Sequence, residues 1–213
     1  MAHISLNVIT LYWIWTNITR SIEWRLCVVI KIVALFGAAG SGKDTLQNLV
    51  TECLDVNPLV STTTRPPRGN EIEGDAYHFV TEEDFMNEPM LEYTTFRGWW
   101  YGTPYSAIDK HKLNIGVFNI SGIKQMMQYN KIIKILPIYI KCEDRVRLER
   151  QLSREEYPDC EEICRRYLTD KKDFQEENIT FDYHWIDNSE DLGDTLENLV
   201  ETITDWDKTI DDK

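Results

Sequence analysis

Residues 27–54 constrain the fold more tightly than any other stretch. Cys27 to Phe36 reads CVVIKIVALF, a nearly continuous apolar and β-branched run bounded by glycine. A run of that kind suits a strand buried on both faces. Next comes Gly37-Ala38-Ala39-Gly40-Ser41-Gly42-Lys43-Asp44-Thr45. Beyond it Leu46, Leu49, Val50, Cys53 and Leu54 recur at helical spacing, so a helix begins near Lys43. Strand, glycine turn and helix in that order form a cradle for phosphate. Gly37, Gly40 and Gly42 let the backbone turn its amides inward, the helix adds the positive end of its dipole, and Lys43 reaches the outer phosphates. A plain structural turn is the competing reading, and the flanking strand and helix weigh against it. Loops of this type usually close on Gly-Lys followed by Ser or Thr, whose hydroxyl holds a magnesium ion. Here Asp44 follows the lysine, and the hydroxyl arrives one place late, on Thr45.

Further apolar runs, GVFNI at 116–120 and KILPIYI at 134–140, read as buried strands. Leu192, Leu196, Leu199, Val200 and Ile203 mark a C-terminal amphipathic helix. Strands alternating with helices imply an α/β fold whose parallel central sheet is covered on both faces. Residues 61–105 break this rhythm. Rich in Thr, Pro, Gly and aromatics, they read as a small inserted module of strands and turns, with one short helix opened by Thr81 and Asp84. Residues 145–172 are charged and helical and carry Arg145, Arg147, Arg150, Arg154, Arg165 and Arg166. No internal repeat is evident.

A chain of 213 residues suffices for one core with small insertions. Its formal net charge of −13 argues against nucleic-acid and anionic-membrane partners, which both call for a basic surface. An acidic protein that binds phosphates has to concentrate its arginines locally, so their positions are informative. The five cysteines (Cys27, Cys53, Cys142, Cys160, Cys164) include no CxxC pair. Cys160 and Cys164 share a helix face without a second pair of ligands, and all five read as reduced thiols of a cytoplasmic protein. Residues 4–15 are apolar, but the run is too short to span a bilayer and lacks a basic leader. Residues 1–27 are therefore expected to be an extension ahead of a domain at 28–213.

A second motif lies at Val60 to Val80, VSTTTRPPRGNEIEGDAYHFV. Arg65 and Arg68, three apart, can fork onto one phosphate dianion, and Tyr77 can donate its hydroxyl to the same oxygens. Downstream, Glu92 to Pro104 reads EYTTFRGWWYGTP. Together these stretches strongly resemble the guanylate kinase family, with its S-x-T-T-R-x-P-R and E-x-x-G-x-x-Y-x-F patterns followed by E-x(5)-G-x-x-Y-G-[ST]. The nucleoside monophosphate kinases also include loops whose hydroxyl stands two places past the lysine. The resemblance spans roughly residues 29–205. It implies the three-layer P-loop NTPase fold with a parallel central sheet. The core would comprise 28–60, 106–144 and 173–213, the inserted module that binds the nucleoside monophosphate 61–105, and a helical lid 145–172. It also implies transfer of the γ-phosphoryl of MgATP to GMP or dGMP, by a monomer or homodimer.

On that resemblance Gly37, Ala38, Ala39, Gly40, Ser41, Gly42, Lys43, Asp44, Thr45 and Arg150 would hold ATP, with Mg²⁺ reached through Thr45. Ser61, Arg65, Arg68, Tyr77 and Tyr101 would line the GMP phosphate, while Glu92, Thr103 and Asn119 would face the base. Lys43, Arg65, Arg154 and Arg166 would meet the transferring group. A solvated helix face is expected for Arg145, Arg147 and Arg165, and core packing for Trp99 and Trp100. Two departures stand out. Where the family has L-D-I-D before a glycine, this chain has GVFNISG, with Val117 and Asn119 in the acidic places. Asn119 offers a donor and an acceptor to a purine. Asp44 either replaces the lost acid beside the magnesium water shell or is a first-turn acid facing solvent. A deoxynucleotide kinase of other or broader base choice stays open as an alternative. So does a non-catalytic phosphopeptide-binding module of guanylate-kinase type, although Gly42, Lys43 and Thr45 are intact where such modules have eroded loops. A purely structural role ranks last.

Overall fold

Seven residues of the first apolar run, Ile30–Phe36, form β1 at the centre of the computed structural model, which describes residues 29–67, 71–75, 77–154 and 156–211. The expected extension at 1–27, Cys27 and Arg68 lie outside the described residues. After β1 the strands are β2 (Val56–Leu59), β3 (Ser61–Thr63), β4 (Tyr77–Phe79), β5 (Met90–Phe96), β6 (Trp99–Pro104), β7 (Leu113–Val117), β8 (Ile133–Lys141) and β9 (His184–Asp187). The helices are α1 (Lys43–Cys53), α2 (Glu82–Asn87), α3 (Ile120–Met126), α4 (Asp144–Leu152), α5 (Cys160–Asp173) and α6 (Leu192–Asp211).

Five strands make the main sheet in the order β2-β7-β1-β8-β9, every pairing parallel. Alternation along β1 explains why nearly all of it is apolar. Val33 and Leu35 point to a core shared with Leu46 and Val50 of α1 and Leu199 and Ile203 of α6. Ile32, Ala34 and Phe36 point to the opposite core, with Ile123 and Met126 of α3. Burying each large side chain stabilises the fold by roughly 2 kcal/mol, so β1 anchors both faces at once. No helix among the described residues is long and apolar enough to cross a membrane.

A second, mixed sheet has the order β4-β3-β6-β5. Its β5–β6 hairpin turns on Arg97 and Gly98, both at positive φ (53° and 82°). Thr81 caps α2 as expected, its hydroxyl oxygen accepting the Asp84 N–H at 3.1 Å. The GVFNI run is corrected by the structure. The strand ends at Val117, Phe118 dives into the core, and Asn119 caps α3. An apolar run interrupted by one polar residue has the look of a continuing strand, and only the cap chemistry marks the turn. Because the main strands are parallel, their carboxyl ends share one edge. The glycine loop, Asn119, the start of α4, Asn188 and β3 all gather there, where open α/β sheets bind ligands.

Candidate active site

The glycine loop turns through Gly40 (φ 78°) and Gly42 (φ 90°), conformations that L side chains avoid. A Cβ on Gly40 would come within 2.5 Å of the Arg147 carbonyl oxygen, and one on Gly42 would strike the Asn188 side-chain amide. Gly42 is also the N-cap of α1, and among the described residues no side chain caps that helix. Its first-turn N–H groups are thus left to an anion. Lys43 folds back over the loop, its Nζ donating to the Ala38 carbonyl at 2.8 Å and lying 3.4 Å from Ser41 Oγ. Burial pushes the Lys43 ammonium down from its ordinary value, and the charges of Asp44 and Asp170 oppose that shift. Asp44 and Thr45 are exposed in the first turn of α1. The Asp44 charge also reaches the Tyr77 hydroxyl, whose pKa is raised chiefly by burial. Asp44 therefore stands on the side of the loop that faces the second sheet.

Across that cleft, Thr63 fixes the backbone of Arg65. Its hydroxyl donates to the Trp100 carbonyl at 2.8 Å and accepts the Arg65 N–H at 3.2 Å. The Arg65 guanidinium is buried against the rings of Tyr77 and Phe79, 5.5 and 5.6 Å from their centroids. It forks onto the Glu71 carboxylate at 2.8 and 3.0 Å, the geometry a phosphomonoester also takes. That bond, before any other influence, holds the Arg65 cation above its ordinary pKa. Tyr101 meets Tyr77 edge-on at 5.8 Å, and half-buried Ser61 pairs with Tyr77 in the sheet register.

Further along the second sheet, Glu92 of β5 is buried and accepts the Thr103 hydroxyl of β6 at 2.9 Å. Burial pushes the Glu92 carboxyl up to about 7, with the Thr103 hydrogen bonds pulling the other way. Its second oxygen abuts α3, where a Cβ on Gly122 would come within 2.5 Å of Oε2. Asn119 caps the same turn, Oδ1 accepting the Gly122 N–H at 2.7 Å. A backbone donor there requires an oxygen acceptor, so the cap sets the orientation of the amide and leaves Nδ2 as its remaining hydrogen-bonding atom.

Helices α4 and α5 approach the loop from the other side. Arg150 lies beside Gly42 and donates weakly to Cys142 Sγ at 3.5 Å. Arg154 is exposed, and its charge helps to lower the Lys43 pKa, which puts it on the loop side. Arg166 is held by Glu162 at 2.8 Å, and the same carboxylate also binds Arg165 and, from the β5–β6 turn, Arg97.

Two expectations are corrected. Arg147 is buried beneath the loop, where Asp144 and Asp170 neutralise it, rather than solvated. Trp99 is 40% exposed on the hairpin, and Trp100 packs half-buried near Phe85 and Tyr93. Sequence reasoning passed over Glu71, although it lies inside the arginine motif. It also missed Asn188, which donates from Nδ2 to the Ser41 carbonyl at 2.8 Å while its buried Oδ1 has no hydrogen-bond partner among the described residues. Its position just past a parallel strand was the available signal.

The chain is similar to known proteins. A family model described as guanylate kinase matches residues 29–206. A guanylate kinase from Synechocystis sp. is 31% identical over 185 residues, covering 81% of this chain and 93% of that protein. One from Fusobacterium nucleatum is 32% identical over 178 residues, covering 77% and 94%. The crystal structure of guanylate kinase from Anaplasma phagocytophilum superposes with a TM-score of 0.57 at 21% identity, covering 85% of this chain and 87% of that one, and so shares the fold. The chain belongs to the guanylate kinase family.

Proposed function

We propose that this protein transfers the γ-phosphoryl of ATP to GMP or dGMP, yielding ADP and the nucleoside diphosphate. The observation that carries the reading is the juxtaposition at one sheet edge of an uncapped, lysine-bearing loop with a buried arginine fork and a buried carboxylate wall. In this reading residues 61–105 form the acceptor-binding module and 145–172 the lid.

Donor phosphates take the loop and first-turn amides, and the Lys43 ammonium leaves the Ala38 carbonyl for their oxygens. Asn188, whose side-chain amide lies against Gly42 and whose buried Oδ1 has no hydrogen-bond partner among the described residues, offers that oxygen as an acceptor to the exocyclic amine of adenine. Arg65, Tyr77 and Tyr101 hold the acceptor phosphate, with Arg68 as a further expected ligand. Glu92 accepts from guanine N1 and N2, beside Thr103. Asn119 Nδ2 offers a donor that suits guanine O6, whereas adenine presents its own amine at that place. Arg154 and Arg166 join Lys43 in neutralising charge on the transferred group, Arg166 after exchanging Glu162 for phosphate. Positioning and electrostatics carry the chemistry, and closure excludes water. Thr45 and Asp44 are hard oxygen donors at the loop and fit a magnesium ion directly or through its waters. Such an ion, when bound with ATP, draws charge from the β and γ oxygens. We place the enzyme in the cytoplasm, where its free thiols stay reduced.

Coupled ADP release with MgATP tests the reading against GMP, dGMP, AMP, dTMP and dCMP in turn. Turnover with GMP or dGMP and little with the others is the expected result; equal or greater turnover with another base overturns it.

A further inference from the structure

Ala39 lies in the middle of the phosphate loop, and the lid helices hold both of its backbone polar groups. Its N–H donates to Asp170 Oδ2 of α5 at 2.8 Å, and its carbonyl accepts from Gln151 Nε2 of α4 at 3.3 Å. Asp170 is steadied by Arg147, whose guanidinium reaches it at 3.2 Å, donates to Asp144 at 3.0 Å and lies 4.6 Å from the centre of the Tyr167 ring. Arg147 is 2% exposed, a burial that a cation tolerates only when paired. Apolar side chains would suffice to pack two helices against a loop. Here a paired charge and an amide converge on the two peptides that flank Ala39 instead.

A loop amide that donates to a carboxylate is not free to donate to a phosphate. Asp170 therefore sets which way the Ala39 peptide faces, and its charge supports the Lys43 ammonium against burial. We infer that Asp170, backed by Arg147, is a positioning residue for the phosphate donor, acting through the Ala39 peptide and Lys43. This inference rests on the donor reading of the loop and adds to it that the lid helices set the loop's shape.

Calorimetric titration of the full chain with MgADP, beside initial rates, tests it. Asp170→Ala is expected to weaken ADP and raise KM for ATP roughly tenfold, as loss of a charge-assisted hydrogen bond does, while KM for GMP stays unchanged. Asp170→Asn keeps an oxygen acceptor for Ala39 and is expected to recover most of that loss. Asn as weak as Ala overturns the inference. The double variant Arg147→Leu with Asp170→Leu separates positioning from stability, since replacing a buried ion pair by apolar residues commonly preserves or raises stability. Its melting point is expected to hold while ADP affinity still falls roughly tenfold. A folded double variant that binds ADP as the parent does overturns the inference. Because ADP binding is read without turnover, a parent chain that binds ADP but phosphorylates no GMP overturns the kinase reading alone. A parent that binds no ADP overturns both.

Discussion

Glu92 is a buried carboxylate that accepts hydrogen bonds from Thr103, and its ionisation has opposite consequences for stability and for binding. Its folded-state pKa of about 7 stands well above the ordinary value of 4.5. Below about pH 4.5 the group is neutral in the folded and unfolded chain alike. Between that value and about 7 the unfolded chain releases the proton first, so the stability due to neutral Glu92 is lost as pH rises through the folded pKa. The full loss is roughly 3 kcal/mol. Glu92→Gln should therefore melt higher than the parent by a margin that grows across this window and is flat above it, which thermal melts at stepped pH will read. Guanine binding has the opposite sign. In the proposed reading the base pairs with the carboxylate, so KM for GMP should fall as pH rises through the same pKa, and Glu92→Gln should raise that KM, abolish the trend and narrow the gap to AMP. Lys43→Ala should lose at least roughly a hundredfold in turnover with its melt intact, because the lysine meets charge that grows in the transition state.

Helix α3 is short, and its first turn packs against Glu92. Asn119 caps it, and Gly122 in its first turn leaves room for the Glu92 carboxylate. In an isolated helix Gly122→Ala would stabilise by roughly 1 kcal/mol. Here the added methyl meets Glu92 Oε2, so the expected outcome is a KM for GMP raised about tenfold, an unchanged KM for ATP and retained helical content by circular dichroism. The sequence carries the cap residue but not this contact, which depends on where β5 places Glu92. Legibility follows the same division elsewhere. The β1–loop–α1 unit was readable because apolar run, glycine spacing and helical period agree over consecutive residues, and Thr81 was readable because a cap is local. Arg147 and Asp170 were not. Each sits on a charged helix face in sequence, and only the packing of α4 against α5 and the loop buries Arg147 beside a half-buried Asp170.

At the scale of the molecule, the second sheet and helix α5 meet through a small set of charges. Arg97, at the β5–β6 turn, donates to Glu162 of α5 at 2.9 Å, and the Arg165 guanidinium lies 5.4 Å from the centre of the Phe96 ring. Three arginines crowd Glu162, and Arg165 before the others holds its carboxyl well below the usual range. Both partners of the Arg97 contact are partly exposed, and such a pair contributes about 0.2–1 kcal/mol. A weak closure suits parts that have to separate in every cycle for nucleotides to enter and leave. Arg97→Ala should accordingly raise KM for both substrates about twofold to fivefold at low ionic strength, the factor that this energy range allows. Near 1 M salt, where the screening length is about 3 Å, parent and variant should converge, because the parent has lost the same contact. Initial rates at the two ionic strengths measure the difference. A gap that persists at high salt would mean that Arg97 acts through the packing of its stem and not through its charge. No gap at low salt would mean that the hairpin and the lid do not touch in the form that turns over.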